Sequence, residues 1–171
     1  MVYLLKIKDL FELAMANKAL GLLAILLFIF FLVAVKKIIN GIRNRHYSRI
    51  ERLLWKYKGH ALDFEYFIAD LYERMGYDAE VTSGSHDGGK DIILTKGRKT
   101  YVVEVKCYEQ SSKISREKIQ KLHSAMIDSE ADGAIFVTTS DFSQEALNYA
   151  EKHNIVTVNG TELSKMIKNR V

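Results

Sequence analysis

Seventeen consecutive uncharged residues, Ala19 to Val35 (ALGLLAILLFIFFLVAV), lie between Lys18 and Lys36. A helix needs about 17–25 apolar residues to cross the hydrocarbon core of a bilayer, so this run is just long enough. A buried helix of a soluble core is expected to keep one polar face, and this run has none. A cleavable signal peptide is expected to carry its basic cluster before the apolar run and a small-residue exit site after it. Here the stronger cluster, Lys36, Lys37, Arg43 and Arg45, follows the run, and no A-x-A precedes it. A single-pass membrane anchor at 19–35 is therefore expected ahead of a signal peptide or a soluble core helix. The net charge is +7 over residues 36–58 and +1 over residues 1–18. By the positive-inside rule that asymmetry places residue 36 onward in the cytoplasm.

The same asymmetry governs the whole chain of 171 residues, whose formal charge is +4. Residues 1–59 carry 11 Lys/Arg against 3 Asp/Glu, whereas residues 60–171 carry 14 against 18. A uniformly basic, nucleic-acid-coating protein is excluded, because the basic balance belongs to the first third. The single cysteine, Cys107, excludes an intrachain disulfide and a cysteine-based zinc site. Proline is absent, so no helix is broken by one.

The expected organisation is a short N-terminal segment (1–18), a transmembrane helix (19–35), a basic juxtamembrane linker (36–59) and a soluble domain (60–171). In the linker, Ile50, Leu53, Leu54 and Tyr57 form an apolar stripe on a helix otherwise carrying Arg49, Arg52, Lys56 and Lys58. Such a helix suits anionic lipid, with Trp55 and Tyr57 at the interface, better than it suits a DNA backbone. Asn40-Gly41 and Gly59 are the expected flexible points. Beyond residue 60, Phe64, Phe67, Ile68, Leu71 and Met75 repeat at helical spacing, with Asp63 as the expected N-cap and Gly76 as the stop. Strand-like runs follow at 77–82, 91–95 and 101–106, separated by the turns SGSHDGG and KGRK. Then come a helix near 115–130, a strand at 134–138, a helix near 143–153, a strand at 155–158 and a helix from Thr161. The order αβββαβαβα predicts an α/β domain with a mixed sheet flanked by helices, the first three strands forming an antiparallel meander.

Three polar residues interrupt the apolar strands. Asp91 opens the run Ile92-Ile93-Leu94, and Glu104 and Lys106 sit within Val102-Val103-Glu104-Val105-Lys106. Strand period is two, so Glu104 and Lys106 share one face while Val103 and Val105 bury the other. A hairpin turning at Gly97 would bring Asp91 beside Glu104. Two carboxylates and an ammonium at one sheet edge suit metal-assisted phosphodiester hydrolysis. Magnesium, or alternatively manganese, takes hard oxygen ligands, and Asp91, Glu104 and the Val105 carbonyl would supply them. Lys106 would orient or deprotonate water, or steady the phosphate. A solvent-facing Glu-Lys pair on a strand is the ordinary alternative. His86 and Asp87 read as turn residues. Thr138, Thr139 and Ser140 precede a helix N-terminus and read equally as caps or as a phosphate contact. Cys107 reads as a core residue, and His60, His123 and His153 as isolated.

The stretches FEYFIADLYERMGYDAEVTSGSHDGGKDIIL, VVEVKCY and IFVTTSDFSQEALNYAEKHNIVTVNGTEL resemble the Mrr-like restriction endonucleases, a family of the PD-(D/E)xK nuclease superfamily. The resemblance runs from about Leu62 to Ile167. It implies a restriction-endonuclease-like sheet, with Asp91, Glu104 and Lys106 as the catalytic triad. It further implies Glu65 on the first helix as an acidic residue assisting the metal, and Gln120 at a position that can carry a polar active-site residue. Many members have Gln where this chain has Glu104, so Glu104 restores the general superfamily pattern. Larger members carry a separate DNA-binding domain, where this chain has its anchor, so a preference for methylated DNA finds no support in it.

The expected activity is that of a membrane-anchored, magnesium-dependent DNA endonuclease in restriction or defence. The alternatives are a junction-resolving nuclease and a non-catalytic, membrane-tethered DNA-binding protein. DNA and membrane lipids are the expected partners, with a homodimer as a further option. Lys90, Arg98, Lys99, Lys113, Arg116, Lys118 and Lys121 would form the patch that follows the phosphate backbone.

Overall fold

The computed structural model describes residues 18–82 and 89–169, together with Asp9 and Glu12. The rest of the N-terminal segment before Lys18, and the turn residues His86 and Asp87, lie outside the described residues. One helix, α1, runs Lys18–Tyr57, and the Asn40-Gly41 pair expected to flex lies inside it. The chain divides into two compact units, residues 1–45 and 46–171, and the boundary falls within this helix. In the first unit, Gly21–Ile42 is long and apolar enough to cross a membrane. Its large side chains, Leu22 through Val33, are exposed, unlike those of a soluble core helix.

The second unit opens with the last three turns of α1 and continues with α2 (Ala61–Glu73). A meander of β1 (Asp78–Val81), β2 (Ile92–Lys96) and β3 (Lys99–Lys106) follows. After the two-residue β4 (Lys113–Ile114) come α3 (Arg116–Asp128) and β5 (Gly133–Thr138). The chain then forms β6 (Asp141–Phe142), α4 (Gln144–Lys152), β7 (Ile155–Val158) and α5 (Gly160–Lys168). The main sheet has the order β1-β2-β3-β5-β7, antiparallel through β3 and parallel beyond it, while β4 and β6 form a separate two-stranded ribbon. The expected mixed sheet with flanking helices is thus the observed one.

Both faces of the sheet are buried, as parallel strands with helical crossovers require. On one face Ile92, Leu94, Val103, Val105, Ile135 and Val137 share a core with Phe64, Ile68 and Tyr72 of α2 and Leu163 of α5. On the other, Val102, Ala134 and Phe136 meet Ile119 and Leu122 of α3 and Ala146 and Ala150 of α4. The stripe expected to lie on lipid belongs instead to the first core: Ile50 and Tyr57 are buried, and Leu53 and Leu54 pack against them. Tyr57, at 6% exposure, packs in a tilted arrangement against Phe64 and Phe67 with ring centroids 5.4 and 5.5 Å away. Trp55, on the opposite side of that helix, is 87% exposed.

Helix ends differ from expectation at one place. Asp63 is not the N-cap of α2; His60 occupies that position without a side-chain cap, and Asp63 sits in the first turn, 3.5 Å from the His60 ring. Two other helices are capped by side chains: Ser143 accepts from the Ala146 amide, and Asn159 with Glu162 forms a reciprocal capping box on α5. Gly160, just inside that cap, lies so close to the Thr139 carbonyl that an added Cβ would overlap its oxygen. Gly160→Ala is expected to cost about 1–3 kcal/mol through the forced backbone shift, read as a lower midpoint in chemical denaturation.

Candidate active site

Strand pairing builds the site. Ile92 opposes Val103 and Thr95 opposes Thr100, with Gly97 at φ +64° in the turn between the strands. β2 begins at Ile92, so Asp91 stands one residue before it rather than opening it. The ladder continues regardless, because the Asp91 amide donates to the Val103 carbonyl at 2.7 Å. This register sets Asp91 opposite Glu104, on the face that also carries Lys106.

The side chains converge. The Val105 amide donates to Asp91 Oδ2 at 2.7 Å, which fixes that carboxylate across the end of the hairpin. The Lys106 ammonium bridges the two acids, 2.7 Å from Glu104 Oε1 and 3.3 Å from Asp91 Oδ2. Asp91 and Glu104 are each only 7% exposed. Burial pushes the Glu104 carboxyl above the ordinary carboxylate range, the Lys106 hydrogen bond works against this, and the Asp91 charge adds to it. Burial alone would lower the Lys106 pKa, but its bonds to Glu104 and Asp91 outweigh it and hold the ammonium above its usual value. Among the described residues, Glu104 Oε2 is buried without a hydrogen-bond partner. A buried acceptor left unpaired costs about 1–3 kcal/mol, more when charged, so this oxygen calls for a cation.

The remaining sequence candidates distribute unevenly. Glu65 is half-buried on α2 beside Phe64. Among the described residues no group of three or more His, Cys, Asp or Glu side chains is arranged to hold a metal, so Glu65 is not gathered with Asp91 and Glu104. Gln120 is half-buried on α3, and among the described residues its side chain makes no hydrogen bond to the three site residues. The basic patch divides. Arg98 and Lys99 lie at the hairpin turn, and Lys99 is seven residues along β3 from Lys106, about 23 Å away at 3.3 Å per residue. Arg116 lies over the Tyr149 ring, while Lys118 bonds the Tyr108 hydroxyl at 3.2 Å.

Two residues read as caps or phosphate contacts do something else. Thr138 donates to the Lys106 carbonyl at 2.9 Å, and Thr139 to the Tyr108 carbonyl at 2.7 Å. Their hydroxyls are buried and spent on fixing the end of β3 that presents Lys106. Cys107 is half-buried, packs at the edge of the first core and has its thiol pKa raised by burial.

A five-stranded mixed sheet presenting Asp91 opposite a Glu104-x-Lys106 strand is the arrangement of the PD-(D/E)xK nucleases. Residues 58–167 match the restriction endonuclease family model Mrr_cat, well over half of the chain, and the protein belongs to that family. Among curated relatives, the uncharacterized protein y4cE of Sinorhizobium fredii is 34% identical over 98 residues, covering 53% of this chain and 25% of the relative. The type IV methyl-directed restriction enzyme EcoKMrr of Escherichia coli is 29% identical over 118 residues, covering 63% of this chain and 38% of the enzyme. The chain therefore spans well under half the length of these relatives. Among solved structures, the DNA modification-dependent restriction endonuclease AspBHI superposes with a TM-score of 0.61 at 19% identity, over 72% of this chain and 35% of its own. A protein of unknown function, AF1548, gives 0.59 at 14% identity over 65% of this chain and 67% of its own. The endonuclease MspJI, solved with a 27-mer oligonucleotide, gives 0.57 at 18% identity over 72% and 31%. These likenesses establish the fold.

Proposed function

We propose that this protein is a membrane-anchored, divalent-metal-dependent DNA endonuclease acting in restriction or defence against foreign DNA. The observation that carries the reading is the convergence of Asp91, Glu104 and Lys106 around a buried carboxylate oxygen that has no hydrogen-bond partner among the described residues. Family membership supports the same chemistry, as does similarity to the methyl-directed restriction enzyme of Escherichia coli.

The donor set fits magnesium, with manganese as an alternative: two carboxylates and a main-chain carbonyl are hard oxygens, and magnesium keeps several waters of its own. Asp91 and Glu104 would hold it with the Val105 carbonyl, whereas Glu65 is not gathered with them. When bound, the metal supplies the charge that acidifies a water and shields the phosphate. Asp91 is pinned by the Val105 amide at Oδ2, so the backbone orients its carboxylate. Lys106 donates to the attacking water or to a phosphate oxygen. The phosphorus–oxygen bond to the leaving sugar breaks as the water oxygen bonds to phosphorus.

The test is incubation of the full chain with plasmid, linear, methylated and branched DNA, each with magnesium, manganese or a chelator. Cleavage that requires the metal is the expected result, and absence of cleavage with either metal refutes the reading. Preference for the branched substrate would redirect it to junctions.

Anchoring rests on the exposed apolar stretch Gly21–Ile42 and on the basic residues after it. In this reading the nuclease domain is cytoplasmic. The full chain is expected to sediment with membranes and to resist alkaline extraction. Leu27→Lys combined with Phe30→Lys is expected to shift it to the soluble fraction, since each mid-bilayer lysine costs about 2.5–3.5 kcal/mol on insertion scales. Equal membrane retention of the double variant would refute the anchor.

A further inference from the structure

A second lysine reaches the carboxylate site from α3. Lys118 and Lys121 are one turn apart and share a face of that helix. Lys118 bonds the Tyr108 hydroxyl and lies over its ring, which holds the first half of α3 beside the end of β3. One turn on, the stem of Lys121 crosses over Gly89. A Cβ on Gly89 would fall 2.8 Å from Lys121 Cε, 3.1 Å from Cγ and 3.3 Å from Cδ. Gly89 is buried at φ +95°, two residues before Asp91. The glycine thus serves a left-handed backbone and also opens the notch in which the lysine stem lies.

The ammonium at the end of that stem is close enough for its charge to favour ionised Glu104. Even so, it forms no ion pair or hydrogen bond among the described residues, and the residue is exposed. Lys106 is the opposite case, with its ammonium engaged by both carboxylates. A cation that served only to neutralise the acids would bond one of them. Among the described residues the Lys121 ammonium has no bonded partner, and its stem is already confined over Gly89 and so has less rotamer freedom to lose on binding.

We propose that Lys121, seated over Gly89, is a DNA-binding residue of the active site that holds a backbone phosphate beside Asp91 and Glu104. The assignment rests on the endonuclease reading and deepens it. Its test is binding rather than turnover: the affinity of the full chain carrying Asp91→Asn for duplex DNA across a salt series, with and without Lys121→Met. Methionine keeps an apolar stem over Gly89 and removes the charge. Loss of one phosphate contact is expected to weaken binding to all sequences alike and to reduce the log–log salt slope by about 0.9. Lys121→Arg is expected to keep the slope of its parent, and all three proteins are expected to melt together. Binding with an unchanged slope in Lys121→Met, or a slope lost equally in Lys121→Arg, overturns the assignment alone. Absence of DNA binding in the Asp91→Asn parent overturns the endonuclease reading and this assignment with it.

Discussion

Asp91→Asn is expected to abolish both divalent-metal binding and DNA cleavage, whereas Lys106→Ala is expected to abolish cleavage and leave metal binding in place. The asparagine keeps the shape of the aspartate, and its carbonyl oxygen can still accept the Val105 amide, so the fold survives. What it removes is one of two charged oxygen donors, which magnesium cannot replace from a neutral amide without loss. Glu104 meanwhile loses a like-charged neighbour that adds to the cost of ionising it. The metal-free variant is therefore expected to melt no lower than the parent. Lys106→Ala acts in the reverse sense. It strips Glu104 of its 2.7 Å partner and leaves a buried carboxylate pair uncompensated, so the metal-free protein melts lower. Metal affinity holds or rises, because the competing ammonium is gone. Cleavage falls in both by at least about a hundredfold, the scale seen when one preorganised electrostatic contact is removed. Calorimetric metal titration beside a plasmid-nicking assay separates the two variants. Unchanged cleavage by both would refute the assigned site.

The other large effect concerns where the nuclease domain begins. A chain starting at Gly59 is expected not to fold cooperatively, whereas one starting at His46 is expected to do so. The difference is the end of α1. Ile50 and Tyr57 are buried in the core shared with α2 and α5, Leu53 and Leu54 pack against it, and the Arg49 guanidinium donates to both the carbonyl and the hydroxyl of Ser164 at 2.9 Å. Each fully buried side chain of this size contributes about 1.5–3 kcal/mol. Removing two of them with their half-buried neighbours takes away an amount comparable to a domain's whole stability of about 5–15 kcal/mol. Urea denaturation followed by circular dichroism decides the matter, and equal midpoints for the two fragments would refute it.

That boundary shows what the residues could and could not disclose. The stripe Ile50, Leu53, Leu54, Tyr57 announces a helix with one buried face. Its periodicity is the same whether the face meets lipid or a protein core, so the partner was not legible. Within β3, by contrast, alternation alone separates Glu104 and Lys106 from Val103 and Val105. The turn at Gly97 then sets the register that faces Asp91 with Glu104. Both are local consequences of strand period and hairpin length, and both hold in the structure. Arg98, Lys99 and Lys90 look like neighbours of the site in the linear order, but the extended hairpin carries Arg98 and Lys99 to its far end. The work of Thr138 and Thr139 was hidden for a different reason. Hydroxyls before a helix are equally good caps, phosphate donors or strand clasps, and only the parallel pairing of β3 with β5 selects the last. Asp63 illustrates the ordinary uncertainty of a helix start, where an acidic residue is favourable both at the cap and in the first turn.

The Arg49–Ser164 bond joins residues 115 positions apart, near opposite ends of the domain. Its consequence is one of timing. At about 5–20 residues per second, roughly 6–23 s of synthesis separate the two partners. Throughout that interval Ile50 and Tyr57 have emerged without the helix that completes their core, and loop-closure entropy opposes any early substitute. The apolar stretch ahead of them leaves the ribosome earlier still, before the central strands β3, β5 and β7 exist to pair. Assembly of this domain is thus a late, long-range event, and a chain lacking its last helix would leave its first one without its polar latch.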